Sequence, residues 1–132
     1  MTDLVETRLQ NGLTCALPAS SPLAKLLHSQ RTWVGPDAKQ RLQILRSARS
    51  VAIVGASPNP ARSSYFVGTY LQQSSDLRVY FVNPNADEIL GEKAYPDLAS
   101  LPEVPDIVDV FRKASDIPSV VDDVLASGAR TI

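Results

Sequence analysis

The sequence has very little of the residues that most often carry nucleophilic or metal chemistry. Cys15 is the one cysteine and His28 the one histidine in 132 residues. A single cysteine excludes an internal disulfide, and this pair offers no metal-ligand spacing. The stretch after residue 50 contains neither residue type, so no Ser/His/Asp or Cys/His arrangement can be assembled there. The sequence therefore predicts no catalytic residue and no metal site, and it favours a non-enzyme.

Aromatic residues, excess basic charge and long apolar runs are also scarce. Aromatics make up 6% of the chain, and the net charge of −1 combines seven basic and three acidic residues before position 51 with six and eleven after it. A nucleic-acid-binding surface usually needs a basic face with stacking aromatics, and a membrane helix needs about 18–20 apolar residues. With no secretory signal visible, these absences predict a cytoplasmic protein that binds neither nucleic acid nor membrane.

What the sequence does contain is an alternation of short apolar runs with helical stripes. Residues 51–54 form an apolar run typical of a buried parallel strand, and residues 79–82 and 107–111 predict two more strands. Phe66, Val67, Tyr70 and Leu71 predict a helix capped by Ser63 or Ser64, and a stripe over 117–125 predicts another, closed by Gly128. The fold class predicted is α/β, a Rossmann-type parallel sheet with helices on both faces.

The ends of the chain are predicted to differ from this pattern. Residues 1–36 are interpreted as an N-terminal arm, irregular over 1–20 and followed by a short helix that Ser21 caps. Residues 37–132 are interpreted as the main domain, entered through a helix in which Asp37 and Gln40 resemble a capping box. Residues 130–132 resemble the start of a further strand, so the pattern predicts a sheet truncated at its C-terminal end.

The turn after the first predicted parallel strand has the features of an anion site. In an open parallel sheet, ligands bind outside the carboxyl ends of the strands. Gly55 permits a tight turn, and the helix that follows would present unpaired N–H groups with partial positive charge. Ser57 and Ser63 add hydroxyl groups, and Arg62 adds a permanent charge. This combination predicts a ligand that carries phosphate groups.

Two common nucleotide motifs do not fit this turn. The dinucleotide fingerprint requires glycine where the chain has Ser57 and Pro60, and it expects an acid at the end of the second strand, where Asn83 stands. A Walker Gly-Lys-Ser/Thr sequence is also missing, which disfavours ATP. An NAD(P)-dependent oxidoreductase domain remains one alternative, and a regulatory or interaction subunit with a vestigial nucleotide crevice remains another.

Several motifs together resemble the small standalone CoA-binding proteins, which are related in fold to the CoA-binding domain of succinyl-CoA synthetase. The motifs are VAIVGASPNPARSSY at 51–65, VNP at 82–84, ILG at 89–91, AYP at 94–96 and DIVDVFR at 106–112. The resemblance implies a site for coenzyme A or acyl-CoA over about residues 38–132. It assigns the phosphates to the glycine turn, the adenosine portion to the end of the second strand, and the opposite wall to the third. The residues so assigned are Gly55, Ala56, Ser57, Asn59, Arg62 and Ser63, then Asn83 and Pro84, then Phe111 and Arg112.

Overall fold

The computed structural model describes residues 4–8, 14–22, 24 and 34–132, which divide into two compact units, residues 1–37 and 38–132. In the first unit, strand β1 (Leu4–Arg8) pairs antiparallel with β2 (Thr14–Pro18). The prediction of an irregular arm over 1–20 is therefore wrong for these residues, because pairing between two short segments leaves little periodicity in either one. Ser21 Oγ accepts a hydrogen bond from the Ala24 N–H at 2.9 Å, as expected of a helix cap. The rest of that predicted helix lies outside the described residues.

The second unit alternates strands and helices as its sequence predicts. Its elements are α1 (Ala38–Ser47), β3 (Ser50–Val54), α2 (Ser63–Ser74), β4 (Arg78–Val82), β5 (Glu88–Ile89), β6 (Glu92–Tyr95), β7 (Ile107–Val110), a 3₁₀ turn (Ala114–Asp116) and α3 (Ile117–Ser127). No helix in the described ranges is long and apolar enough to cross a membrane.

A five-stranded sheet organises this unit, with strand order β5-β6-β4-β3-β7. Strand β3 runs parallel to both neighbours, β6 runs parallel to β4, and only the short β5 is antiparallel. The register sets Val54 beside both Val82 and Val110, so three strands end at the same level. The predicted Rossmann-type α/β fold is confirmed.

Each face of the sheet is covered by one helix. Ala52, Val82 and Val108 pack with Val120 and Val124 of α3. The opposite face carries Ile53 and Phe81, and helix α2 lies against it. Because side chains alternate across a strand, neighbouring residues of β3 feed two separate apolar clusters, and the sheet is buried on both sides.

Helix α2 does not bury the face that its apolar residues suggest. Phe66 is 72% exposed and Tyr70 59% exposed, whereas the buried residues of the helix are Ser64 and Gly68. A Cβ atom added to Gly68 would lie 2.7 Å from Cε1 of Phe81. The predicted helix is present, but Phe66 and Tyr70 face solvent, since the small residues let the helix axis come close to the large Phe81 ring.

The C-terminal segment follows the sheet without forming a regular strand. Helix α3 ends at Gly128, whose φ of 84° is the left-handed conformation that the sequence predicts for its cap. The N–H of Val108 then donates a hydrogen bond to the carbonyl of Thr131 at 2.9 Å. Residue 131 therefore runs alongside β7, although the three residues 130–132 are not assigned to a strand.

Candidate functional site

The order of the strands places a crevice at the carboxyl end of β3. From β3 the chain moves to β4 and then β6 on one side, and it later returns to add β7 on the other side. Strands after β3 are thus added first on one side of it and then on the other, which makes the carboxyl ends of β3 and β7 the switch point where ligands bind in open α/β sheets. Gly55 lies directly at this point.

The backbone around Gly55 requires glycine for two reasons. Its φ of 81° is a left-handed conformation that L side chains rarely adopt. A Cβ atom there would also collide with the carbonyl oxygen of Phe111. The turn is fixed on both sides, because the Gly55 N–H donates to Val82 O at 3.0 Å and the Phe111 N–H donates to Val54 O at 2.8 Å. Gly55 therefore lets the end of β7 approach the end of β3.

The loop between Gly55 and α2 is held by its own side chains. Ser57 Oγ accepts a hydrogen bond from the Asn59 N–H at 3.1 Å, and Asn59 Oδ1 accepts one from the Ala61 N–H at 2.9 Å. The buried Ser64 Oγ accepts one from the Ser57 N–H at 3.2 Å. This network gives the loop a defined shape before any ligand arrives.

The start of α2 differs from the sequence prediction. Arg62 occupies the N-cap position and forms no side-chain cap hydrogen bond, while Ser63 and Ser64 belong to the first turn. The prediction that Ser63 or Ser64 caps this helix is wrong, because the helix begins one residue earlier and Ser64 reaches back to the loop. The first amides of α2 therefore have no capping side chain and remain suited to an anion.

Asn83 and Ala56 join the ends of β4 and β3. The Asn83 side-chain nitrogen donates to Ala56 O at 2.8 Å, and its Oδ1 accepts from the Asn85 N–H at 2.8 Å. Ala56 is 1% exposed and packs in the apolar cluster of Ile53 and Phe81. What Ala56 presents to the crevice is therefore backbone, and the polar atoms of Asn83 mainly brace the turn.

The crevice has two adjoining parts, which we call the first lobe and the second lobe. The first lobe, of about 620 Å³, is lined by Gly55, Ser57, Arg62, Ser63, Ser64, Val110, Phe111, Arg112, Lys113 and Asp116. The second lobe, of about 420 Å³, includes Ala56, Asn83, Pro84, Asn85, Pro96, Asp97, Leu98, Ser119, Val120 and Asp123. Gly55, Ser57, Arg112 and Asp116 line both lobes, so the lobes meet at these four residues.

Nine of the ten sequence-predicted site residues come together in this crevice. The exception is Asn59, which lines neither lobe and instead shapes the loop through its hydrogen bonds with Ser57, Ala61 and Arg62. Ser64, Lys113 and Asp116 line the first lobe but are missing from the predicted set. The sequence could have indicated Asp116, because its carboxylate follows the cationic Arg112 by four residues just before a predicted helix, a spacing at which opposite charges can pair.

The two lobes differ in charge. The first lobe contains Arg62, Arg112 and Lys113 against the single carboxylate of Asp116. The second lobe adds Asp97 and Asp123, with Arg112 as its cation. Arg112 Nη2 lies 2.9 Å from Asp116 Oδ2, at the junction. An anionic group is therefore better accommodated in the first lobe than in the second.

Asp106 directly precedes β7 and Asp109 lies within it, and the two residues have different roles. Asp106 Oδ2 accepts hydrogen bonds from the N–H groups of Arg49 and Ser50 at 2.7 and 3.2 Å, at the amino end of β3. Asp106 therefore braces the start of β3 and has a structural role. Burial raises the pKa of Asp109, and a hydrogen bond from the Val110 N–H partly opposes the increase. Neither residue lines the lobes, and within the described ranges no group of three potential metal ligands is found.

Comparison with known proteins gives one consistent result. Residues 49–132 match the family described as CoA binding domain. The uncharacterized protein YneT of Bacillus subtilis is 34% identical over 94 residues, which is 71% of this chain and 69% of YneT. A hypothetical protein from Pyrococcus horikoshii OT3 superimposes with a TM-score of 0.66 at 35% identity, covering 73% of this chain and 67% of that one.

A larger relative contains the same region as a small part of its length. The ADP-forming acetate–CoA ligase II of Archaeoglobus fulgidus is 31% identical over 83 residues, which is 62% of this chain but 12% of the ligase. By sequence and by fold, this chain belongs to the CoA-binding domain family.

Proposed function

We propose that this chain binds coenzyme A or an acyl-CoA in the crevice at the carboxyl ends of β3, β4 and β7. The observation that carries the proposal is the first lobe, where the uncapped N-terminus of α2 and three cationic side chains surround the Gly55 turn. Coenzyme A carries a diphosphate and a 3′-phosphate, and such groups bind well to helix N-termini and to arginine.

Within this site we assign the diphosphate to the first lobe. Arg62 is exposed beside the first amides of α2, so its guanidinium can reach a phosphate without leaving a buried partner behind. Charge-assisted hydrogen bonds to such a group stabilise a complex by about 1.5–3 kcal/mol each. The second lobe, with Pro84, Leu98 and Val120 among its lining residues, suits an uncharged portion of the ligand.

The crevice favours coenzyme A over a nicotinamide or flavin dinucleotide. Ser57 and Pro60 occupy the positions where the dinucleotide fingerprint has glycine. At the end of β4, Asn83 has an amide whose nitrogen and oxygen both bond to backbone atoms, and it supplies no carboxylate for a ribose 2′-hydroxyl. The two features argue independently against NAD(P).

We further propose that the chain is a binding module and that any reaction of the thioester needs groups from elsewhere. The residues lining the two lobes include neither cysteine nor histidine. The acetate–CoA ligase of Archaeoglobus fulgidus, named for its ADP-forming reaction, matches this chain over only 12% of its own length. This share is consistent with a ligand-binding part that is separate from the catalytic groups.

Isothermal titration calorimetry tests the ligand assignment. The chain is titrated in parallel with coenzyme A, dephospho-CoA and NADH, and we expect coenzyme A to bind and NADH to give no comparable heat. Arg62→Ala should weaken coenzyme A binding by at least about tenfold and reduce its salt dependence, because one charge-assisted contact is lost. Arg46→Ala, in the last turn of α1 and outside both lobes, is the matched control and should leave binding unchanged.

Two results would contradict the proposal. NADH binding as tight as coenzyme A binding would favour the oxidoreductase alternative. Absence of binding by coenzyme A, dephospho-CoA and NADH alike would favour an interaction subunit whose crevice no longer holds a nucleotide. An unchanged dissociation constant in Arg62→Ala, with wild-type binding intact, would remove only Arg62 from the site.

A further inference from the structure

We infer that Asp116 limits the affinity of the crevice for coenzyme A by competing with the ligand phosphates for the guanidinium of Arg112; this rests on the proposed function. Asp116 and Arg112 are two of the four residues that line both lobes. A ligand that spans the lobes must therefore pass their ion pair.

The geometry fixes the Arg112 side chain across the junction. A Cβ atom on Gly55 would lie 2.9 Å from Cδ of Arg112, so the aliphatic part of this arginine lies against the glycine turn. Its guanidinium extends to Asp116, with Nη2 2.9 Å from Oδ2. One end of the side chain is thus held at the proposed phosphate site, and the other end is held by a carboxylate at the start of α3.

The ion pair between Arg112 and Asp116 is weak enough for a ligand phosphate to replace the carboxylate, yet strong enough to lower the affinity for the ligand. The side chains of Arg112 and Asp116 are 47% and 33% exposed, so solvent screens their attraction. A diphosphate offers Arg112 more negative charge than one carboxylate does, and the arginine can turn toward it by rotating its outer torsions while its stem stays on Gly55. Binding then leaves Asp116 without its partner and close to an anionic ligand, and both effects reduce affinity.

The chain offers a close control for the charge of Asp116. Asp122 lies exposed on α3 and lines neither lobe. Asp116→Asn and Asp122→Asn remove the same charge and keep a similar shape, so their difference isolates the position of the carboxylate. Asp116 is at the N-cap of α3 but forms no side-chain cap hydrogen bond there. The fold should therefore tolerate Asp116→Asn. If this variant melts at a lower temperature than the wild type, Asp116→Ser is used in its place.

Calorimetric titrations with coenzyme A at several salt concentrations provide the test. We expect Asp116→Asn to bind about two- to fivefold more tightly than Asp122→Asn at low salt, which is the upper part of the range for one exposed ion pair. Its affinity should also depend more steeply on salt, because the released Arg112 adds one phosphate contact. In an Arg112→Gln background, where there is no guanidinium to compete for, the gain from Asp116→Asn should fall to less than about 1.5-fold.

The outcomes separate this inference from the proposed function. If no variant binds coenzyme A, the proposed function fails and the inference fails with it. If coenzyme A binds but Asp116→Asn matches Asp122→Asn, only the inference is overturned. A gain that persists undiminished in the Arg112→Gln background also overturns it, because Asp116 would then act by repelling the ligand directly.

Discussion

The side-chain nitrogen of Asn83 donates a hydrogen bond to the carbonyl oxygen of Ala56 at 2.8 Å, joining the end of β4 to the turn after β3. Dinucleotide-binding proteins of this fold carry an acid at the corresponding position, where it binds the ribose. An ionised acid has no proton to donate, so it could not form this bond. The same position here braces the turn after β3.

Asn83→Asp should destabilise the fold without creating an NADH site. Aspartate can still accept the hydrogen bond from the Asn85 N–H, but it loses the bond to Ala56 O. Its second carboxylate oxygen would then face the Ala56 carbonyl oxygen, and both are acceptors. We expect the free energy of unfolding to fall by about 1–3 kcal/mol, as measured by urea denaturation. Asn85→Asp, an exposed neighbour with the same charge change, should stay within about 0.5 kcal/mol of wild type. Equal losses for the two variants would show that the Asn83 bond contributes nothing specific.

Gly55→Ala and Gly91→Ala form a matched pair for the turn at the switch point. Both residues have positive φ, 81° and 78°. Each substitution therefore adds similar backbone strain, about 1–2 kcal/mol. A Cβ on Gly91 meets nothing within 4 Å, whereas one on Gly55 collides with the Phe111 carbonyl. We expect Gly55→Ala to cost at least about 1–3 kcal/mol more and to abolish coenzyme A binding. Similar melting temperatures for the pair would mean that the end of β7 can move away freely.

Gly68→Ala should destabilise the protein although alanine favours helices. The added methyl would lie 2.7 Å from the Phe81 ring and 3.1 Å from Cδ1 of Leu90. Such overpacking costs about 1–3 kcal/mol against a helix gain of up to about 1 kcal/mol. In a Phe81→Leu background the ring is gone, so the same change should become neutral or stabilising. Chemical denaturation of the four members of this cycle gives the coupling. A stabilising effect in the wild-type background would indicate that α2 can shift outward.

Asp109→Asn should raise the melting temperature at neutral pH but not at acid pH. Burial raises the pKa of Asp109 in the folded state, so the folded protein binds this proton more readily than the unfolded chain does. The linked stability is present below the unfolded pKa, about 3.9, and is lost as the pH rises through the folded value. At about pH 7 we expect asparagine to add a few degrees, and below about pH 3.5 almost none. Calorimetry at both pH values, with Asp122→Asn as control, checks this; an equal shift at both would exclude ionisation as the cause.

The strands and the glycine turn could be predicted from the sequence because their signals are local. Three apolar runs specify strands buried on both faces, and β3, β4 and β7 lie where those runs are. Gly55 at the end of the first run, followed by serine and arginine, specifies a turn into a helix whose N-terminus suits phosphate. The replacement of the dinucleotide glycines by Ser57 and Pro60 is equally local, and by itself it disfavours NAD(P).

Only the tertiary structure decided which groups those local elements present to the crevice. Phe66 and Tyr70 look like a buried pair, yet α2 turns Gly68 toward Phe81. The face that a helix buries depends on the size of the side chains that the sheet presents to it, and here the large Phe81 ring leaves room only for a small residue. The bond between Asn83 and Ala56 links residues 27 positions apart, and the place of Asp116 beside both lobes depends on where α3 begins relative to β3. Periodicity along the chain fixes which residues share a face of an element, but distances between elements follow from how those faces dock.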